Sequence, residues 1–316
     1  MKAYKKVLLA AAVTLGVVGV THAGPIVIAG TDADDHGYIS GGVNQTGWKF
    51  MQQVFGNIGA AVSNGNSQAV CIGCNSSSAL TAYNSAFTLA GLAGWTSVSL
   101  TSVADITNFF SGTGAVNVNT AGLVYMPTVS SNVSGGITDA QLAPVNANGA
   151  VINNFVSNGG GLFTQEQANS SIGYGWLTSL LPGLNVMGDN SGGAYNSGTL
   201  QLTPTGQSEF PGLTNSDLSN ATPWHAYFTG NFGALQSLVV GNGNNVPVGA
   251  FDDTVVLGGG FKGGGGGVIV CGQPGQPACP GGGGNGNTVP EPGSALLLGA
   301  GAIALVATMR RRRKQL

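Results

Sequence analysis

The chain has 316 residues, of which only 7% are charged, with a formal net charge of −2. Its 42% hydrophobic content is enough to build a core, which excludes a wholly disordered chain. The near-neutral total hides an uneven distribution. Lys2, Lys5 and Lys6 open the chain and Arg310, Arg311, Arg312, Arg313 and Lys314 close it, leaving residues 24–288 with Lys49 and Lys262 alone against all the acids except Glu291. That body, two bases against eleven acids, is near −9 and has no arginine. Nucleic acid is excluded as a partner, because phosphate neutralisation needs clustered Lys and Arg.

Along the chain, the first element is a leader. The three lysines precede an apolar run from Val7 to Val20 and then Thr21-His22-Ala23, the pattern of a secretory signal peptide that a signal peptidase cuts between Ala23 and Gly24. Pro25 to Gly30 reads as a first strand, ending in a loop of small and acidic residues. Trp48, Met51, Val54, Phe55, Ile58 and Val62 recur at helical spacing. Ala69–Ile72 reads as a strand, Ala79–Leu92 as a helix, Thr96–Leu100 as a strand and Val103–Phe110 as a short helix. Gly122–Met126 follows as a strand, Thr138–Val156 as a helix with a weak middle, and Gly161–Thr164 as a fifth strand. Strands alternating with helices argue for a parallel sheet with crossover helices, in one α/β domain over residues 24–257. Beyond Leu184 the pattern turns β-rich, with candidate strands at Leu200–Leu202, Leu235–Val240 and Val246–Phe251. Residues 258–288, rich in glycine and proline, read as a flexible spacer. Lys262 is followed by glycine and not by Ser or Thr, so this stretch is no phosphate loop.

Three groups of residues carry candidate chemistry. Asp32, Asp34 and Asp35, with His36, follow the first strand, where the loops of a parallel sheet gather on the binding edge; Asp252 and Asp253 follow a late strand. Such an oxygen-rich cluster suits Ca²⁺, and it equally suits an Asx-type turn with solvated acids. His225, in Pro223-Trp224-His225-Ala226-Tyr227-Phe228, is one of two histidines outside the leader. With Glu166 it can form a base pair that orients a water, or it can be a core histidine in an aromatic cluster. Cys71-Ile72-Gly73-Cys74, with Cys271 and Cys279, is an even set in an exported chain. It reads as two local disulfides, 71 with 74 and 271 with 279, in preference to zinc or redox chemistry.

The segment Asn154-Phe155-Val156-Ser157-Asn158-Gly159-Gly160-Gly161-Leu162-Phe163 resembles the helix–Gly-Gly-Gly–strand joint of class I glutamine amidotransferase-like and ThuA-like domains. Glycines suit such a joint because no side chain blocks a close helix–strand approach. The resemblance implies a flavodoxin-like, three-layer fold with a mostly parallel sheet. In the amidotransferases the next turn carries a nucleophilic cysteine; here it holds Thr164-Gln165-Glu166, so the fold is carried over and the activity is not.

The tail is the most specific stretch. Val289-Pro290-Glu291-Pro292 is followed by an apolar run from Ser294 to Met309 and then by the basic cluster 310–314. Sixteen helical residues reach about 24 Å, barely a bilayer core, and the arginines hold that end in the cytoplasm. This order resembles the PEP-CTERM sorting signal of exopolysaccharide-producing Gram-negative bacteria. The resemblance implies an inner-membrane intermediate, a transmembrane helix over 294–309 and release by an exosortase near the Pro-Glu-Pro. The expected role is non-catalytic, in a surface layer, biofilm or exopolysaccharide matrix, without a cofactor unless Ca²⁺ is bound. The alternative is a secreted hydrolase of a carbohydrate or amide, using the acidic edge with Glu166 and His225.

Overall fold

The computed structural model describes residues 24–188, 199–219, 224–242 and 253–261. In chain order these form β1 (Ile26–Ala29), β2 (Gly37–Ser40), β3 (Val43–Gln45), α1 (Thr46–Ala61), β4 (Gln68–Ile72), α2 (Ser77–Leu89), β5 (Thr96–Leu100) and α3 (Val103–Ser111). There follow β6 (Leu123–Met126), α4 (Asp139–Ala147), α5 (Gly149–Ser157), β7 (Gly161–Thr164), α6 (Leu177–Leu180) and β8 (Leu184–Gly188). The last elements are β9 (Leu200–Leu202), α7 (Pro204–Glu209), α8 (Asn215–Ser219), β10 (Ala226–Gly230), β11 (Gln236–Gly241) and β12 (Asp253–Gly259).

The domain is α/β with a mixed sheet. Its parallel half runs β5-β4-β6-β7-β1. On the other side of β1 the pairing becomes antiparallel, first to β12 and then through β10 to β8, with β11 and β9 also joined to β12's side. Side chains alternate across the parallel strands as a period of two requires. Val27, Ala69, Tyr125 and Phe163 pack with α1 and α2 on one face. Ile28, Val70, Val124 and Leu162 pack with α3, α4 and α5 on the other. Both faces being covered explains why these strands read as near-continuous apolar runs. Phe55 of α1 is the hub of the first face: its ring lies 5.2 to 6.0 Å from those of Tyr125, Phe163, Tyr83 and Phe87, all edge-on.

Three readings of the sequence change. The loop after β1 contains a hairpin, β2–β3, whose two-residue turn is Gly41-Gly42, both with positive φ (61° and 79°). Side chains such as Tyr38 and Ile39 are exposed there, so no buried face announces it. The helix expected over 138–156 breaks at Asn148, where φ is −115°, into α4 and α5. The last strand among the described residues is Asp253–Gly259, whereas 246–251 lies wholly outside them. Gly258 and Gly259 therefore belong to the sheet and not to a spacer; they pair with Val27 and Ile26. A Cβ on Gly258 would come 2.4 Å from Leu238 Cδ1, a packing reason for glycine at this place.

The Gly-Gly-Gly joint does the mechanical work expected of it. Gly159 has φ of 90°, a Cβ on Gly160 would strike the Phe155 ring at 2.3 Å, and one on Gly161 would strike Ile58 at 2.4 Å. Cys71 and Cys74 form a disulfide with a Cα separation of 5.8 Å, closing the end of β4; Cys271 and Cys279 lie outside the described residues. So do the leader up to Ala23, most of the spacer and the whole tail. Among the described residues no helix is long and apolar enough to cross a membrane.

Candidate functional site

The carboxyl ends of β1, β6 and β7 are drawn together by backbone hydrogen bonds from one residue, Glu166. Its N–H donates to the Thr31 carbonyl at 3.0 Å and its carbonyl accepts from Val129 N–H at 3.1 Å. On the other side of β1, His225 N–H donates to the Gly30 carbonyl at 2.8 Å, just before β10. A Cβ at position 30 would meet the Ala226 carbonyl oxygen at 1.9 Å, so only glycine lets the two segments approach. The acidic turn after β1 is pinned by the start of α1. Thr46 Oγ1 and Gly47 N–H both donate to the His36 carbonyl, and Trp48 Nε1 donates to the Asp34 carbonyl. Thr46 holds φ at 50°, a strained value for a β-branched residue, stabilised by that hydroxyl contact.

Asp32 is the centre of the cluster. Its Oδ2 lies 3.2 Å from His225 Nε2, 3.2 Å from His36 Nε2 and 3.2 Å from Asn132 Nδ2. Its Oδ1 is buried without a hydrogen-bond partner, as is Gln165 Nε2. Burial pushes the Asp32 carboxyl up, but the hydrogen bonds from His225 and His36 outweigh it and hold the group below the ordinary carboxylate value. The Asp32 contact raises His36 against the opposing effect of its partial burial. Burial lowers His225, yet Asp32 and the charge of Glu166 leave it raised. An anionic Asp32 between two readily protonated imidazoles is thus the favoured state near neutrality.

Asp34 and Glu166 are the opposite kind of acid. Asp34 turns inward, accepting from Thr128 N–H at 2.9 Å and Thr128 Oγ1 at 2.6 Å, with Tyr125 OH at 3.4 Å. Full burial raises its pKa to about 6. Glu166 accepts from Asn169 N–H at 2.8 Å and from Asn169 Nδ2 at 3.3 Å, and burial raises it to about 7.

The residues expected from sequence fare differently. Asp32 and His225 meet; Glu166 lies close enough to act on His225 through its charge, but its oxygens are taken by Asn169 and the imidazole Nε2 goes to Asp32. The direct Glu166–His225 pair is therefore replaced by an Asp32–His225 pair. The five acids do not converge on one point: Asp34 faces Thr128, Asp35 is exposed with its Oδ2 3.9 Å from His36, and Asp253 opens β12 opposite Gly241. Asp252 lies outside the described residues. Among the described residues no group of three or more His, Cys, Asp or Glu is arranged to hold a metal ion. Asn132, Asn169 and Thr128 were invisible from sequence. They sit on irregular loops after β6 and β7, and only the rule that parallel strands gather their loops at one edge points there.

Comparison with known proteins adds information at the other end of the chain. A family model of the PEP-CTERM protein-sorting motif matches residues 288–313. The chain carries a PEP-CTERM sorting motif. No curated protein and no solved structure matches it. The PEP-CTERM match takes in Val289, Pro290, Glu291 and Pro292, the apolar run and Arg310 to Arg313. A PEP-CTERM motif implies an exosortase as processing partner and export to the cell envelope or surface.

Proposed function

We propose that this is an exported protein which an exosortase releases to the outer surface or the exopolysaccharide matrix, where the α/β domain has a structural or binding role without catalysis. The PEP-CTERM match at residues 288–313 carries the reading. The leader at residues 1–23, with its signal-peptidase site at Ala23-Gly24, and the Gly/Pro-rich stretch before the motif agree with it, because a delivered and released domain needs both a leader and an accessible cleavage segment. On this reading the run 294–309 is a transient anchor in the inner membrane, and the glycan of the matrix is the partner outside. The deciding experiment expresses the chain in hosts with and without an exosortase and measures its location and intact mass. Loss of the tail only where the exosortase is present is the expected result; an uncut tail in both hosts refutes sorting.

The amidotransferase-like reading of the fold rests on the Gly-Gly-Gly joint and the parallel half of the sheet. The order β5-β4-β6-β7-β1 becomes the 2-1-3-4-5 pattern of flavodoxin-type sheets only when the count starts at β4, because the first strand of the chain stands in the fifth place and not beside the edge strand.

One observation favours a second reading, a secreted hydrolase of a carbohydrate or amide. Asp32, His225 and Glu166, far apart in sequence, converge at the carboxyl edge, where an Asp-oriented imidazole can act as a base on water. With Gln165-Glu166 in the turn that would hold a nucleophile, this reading takes water as the nucleophile. Hydrolysis of nitrophenyl glycosides or anilides that His225→Ala abolishes would establish it; no turnover by the folded wild-type chain disposes of it.

A further inference from the structure

At the opposite edge of the sheet from Asp32 lies a cleft of about 430 Å³. Asn64 and Asn66 precede β4, Val118 and Asn119 precede β6, and Asn154 and Asn158 precede β7, so the cleft opens at the amino ends of the parallel strands. Its size falls within the range of small-molecule sites, but its chemistry is unusual. Five of its eleven lining residues are asparagines and none is charged; Phe110 and Phe155 also line it but are almost wholly buried, at 5% and 6% exposure.

Four of the five carboxamides are held by hydrogen bonds, and they keep free hydrogen-bonding groups. Asn64 Nδ2 donates to the Ala121 carbonyl and its Oδ1 accepts from Asn66 N–H. Asn66 Nδ2 is shared between the carbonyls of Asn119 and Ala121, which leaves its Oδ1 available. Asn158 Nδ2 donates to the carbonyl and the Oδ1 of Asn154, which leaves Asn158 Oδ1 as an acceptor and Asn154 Nδ2 as a donor. The loop that carries Asn119 is itself stitched down, with Asn117 Nδ2 on the Gly114 carbonyl and Val118 N–H on the Phe109 carbonyl. Such a rim is preorganised and loses little freedom on binding.

We propose that this cleft binds a short stretch of neutral polysaccharide, with hydroxyls exchanged against the asparagine carboxamides and the apolar part of a sugar against the half-buried Val118 and Val151. Carboxamides both donate and accept, as sugar hydroxyls do. An ionic ligand is disfavoured because the lining has no opposite charge to desolvate it against. The site lies away from the Asp32 cluster and depends on none of its residues. It rests on the matrix reading above only for the origin of the glycan.

Isothermal titration of the full chain in a zwitterionic detergent tests this with cellohexaose and maltohexaose as neutral probes and hexagalacturonate as the acidic one. At least one neutral glucan is expected to bind, with hexagalacturonate showing no heat. The double variant Asn119→Ala/Asn154→Ala removes two exposed carboxamides whose loss leaves the core intact, and it is expected to weaken binding by about tenfold at an unchanged melting temperature. No binding of either neutral glucan overturns the proposal. So does equal binding of the acidic one, or an undiminished affinity in the variant. A tail left uncut in the host experiment would not alter this titration, so the two readings fail separately.

Discussion

Asp32 and His225, 193 residues apart in sequence, meet at the carboxyl edge of the sheet with Oδ2 and Nε2 separated by 3.2 Å. His36 Nε2 lies at the same distance, 3.2 Å, from that oxygen. One carboxylate oxygen thus couples the titration of two imidazoles, and Asp34 and Glu166 lie nearby as buried acids.

Stability is expected to peak on the acid side of neutrality. Asp32 is depressed below 3.8, so its contribution is present above that value and is lost as pH falls through the lowered one. His36 and His225 are raised above 6.5, so theirs is complete below 6.5 and is lost as pH rises through the raised values. Asp34, raised from 3.8 to about 6, and Glu166, raised from 4.5 to about 7, favour the fold fully below the ordinary values, and that contribution is lost as pH rises through the raised ones. All four act in one direction, so the melting temperature should fall from about pH 5 to about pH 8. A flat or rising profile over that range contradicts the assignment.

Glu166→Gln isolates one part of this. A neutral amide keeps an acceptor for Asn169 N–H and removes the charge that burial opposes. The variant should be more stable than wild type near pH 8, by on the order of 3 kcal/mol, and the advantage should vanish near pH 5. Denaturant midpoints at the two pH values provide the measurement. A uniform offset at both would mean that packing, not ionisation, sets the effect.

Gly160→Ala should destabilise by about 1–3 kcal/mol, because the added methyl meets the Phe155 ring and the surrounding core is closed. Gly41→Ala is the control. Nothing lies within 4 Å of its added Cβ, so only its φ of 61° opposes the change, at about 1 kcal/mol. Urea unfolding ranks the two; equal losses would place the cost of Gly160→Ala in the backbone and not in the contact.

Reducing the Cys71–Cys74 disulfide should cost about 2 kcal/mol, the loop-closure value for so short a ring. The wild-type midpoint should fall when reductant is added, whereas that of Cys71→Ala/Cys74→Ala should not move. A wild-type midpoint insensitive to reductant would show that the bond adds nothing to folding.

What could be read from the residues follows from how local the signal was. The strands β1, β4, β6 and β7 were legible because both faces are covered, so runs such as Leu123-Val124-Tyr125-Met126 are apolar throughout. The pairing of Cys71 with Cys74 was legible because closeness in sequence forces closeness in space. The site was legible only in part. Asp32 and His225 stood out as residue types, but which carboxylate His225 meets depends on where β10 lies beside β1, a non-local fact. Asn132 and Asn169 are ordinary loop asparagines until the topology brings them to Asp32 and Glu166. The β2–β3 hairpin was missed because its apolar side chains face outward.

The antiparallel pairing of β1 with β12 has a consequence for export. Ile26 stands opposite Gly259, so the chain enters and leaves the sheet at the same edge, and any tether beyond Phe261 starts at the end of the strands opposite Asp32. A chain delivered amino end first must also wait. Until the stretch up to Gly259 has arrived, β1 has β7 on one side and an open edge on the other. The first strand to emerge is completed by the last one, so this domain cannot finish folding until nearly its whole length has crossed, and a helper that shields the open edge in the meantime would guard it against pairing with other chains.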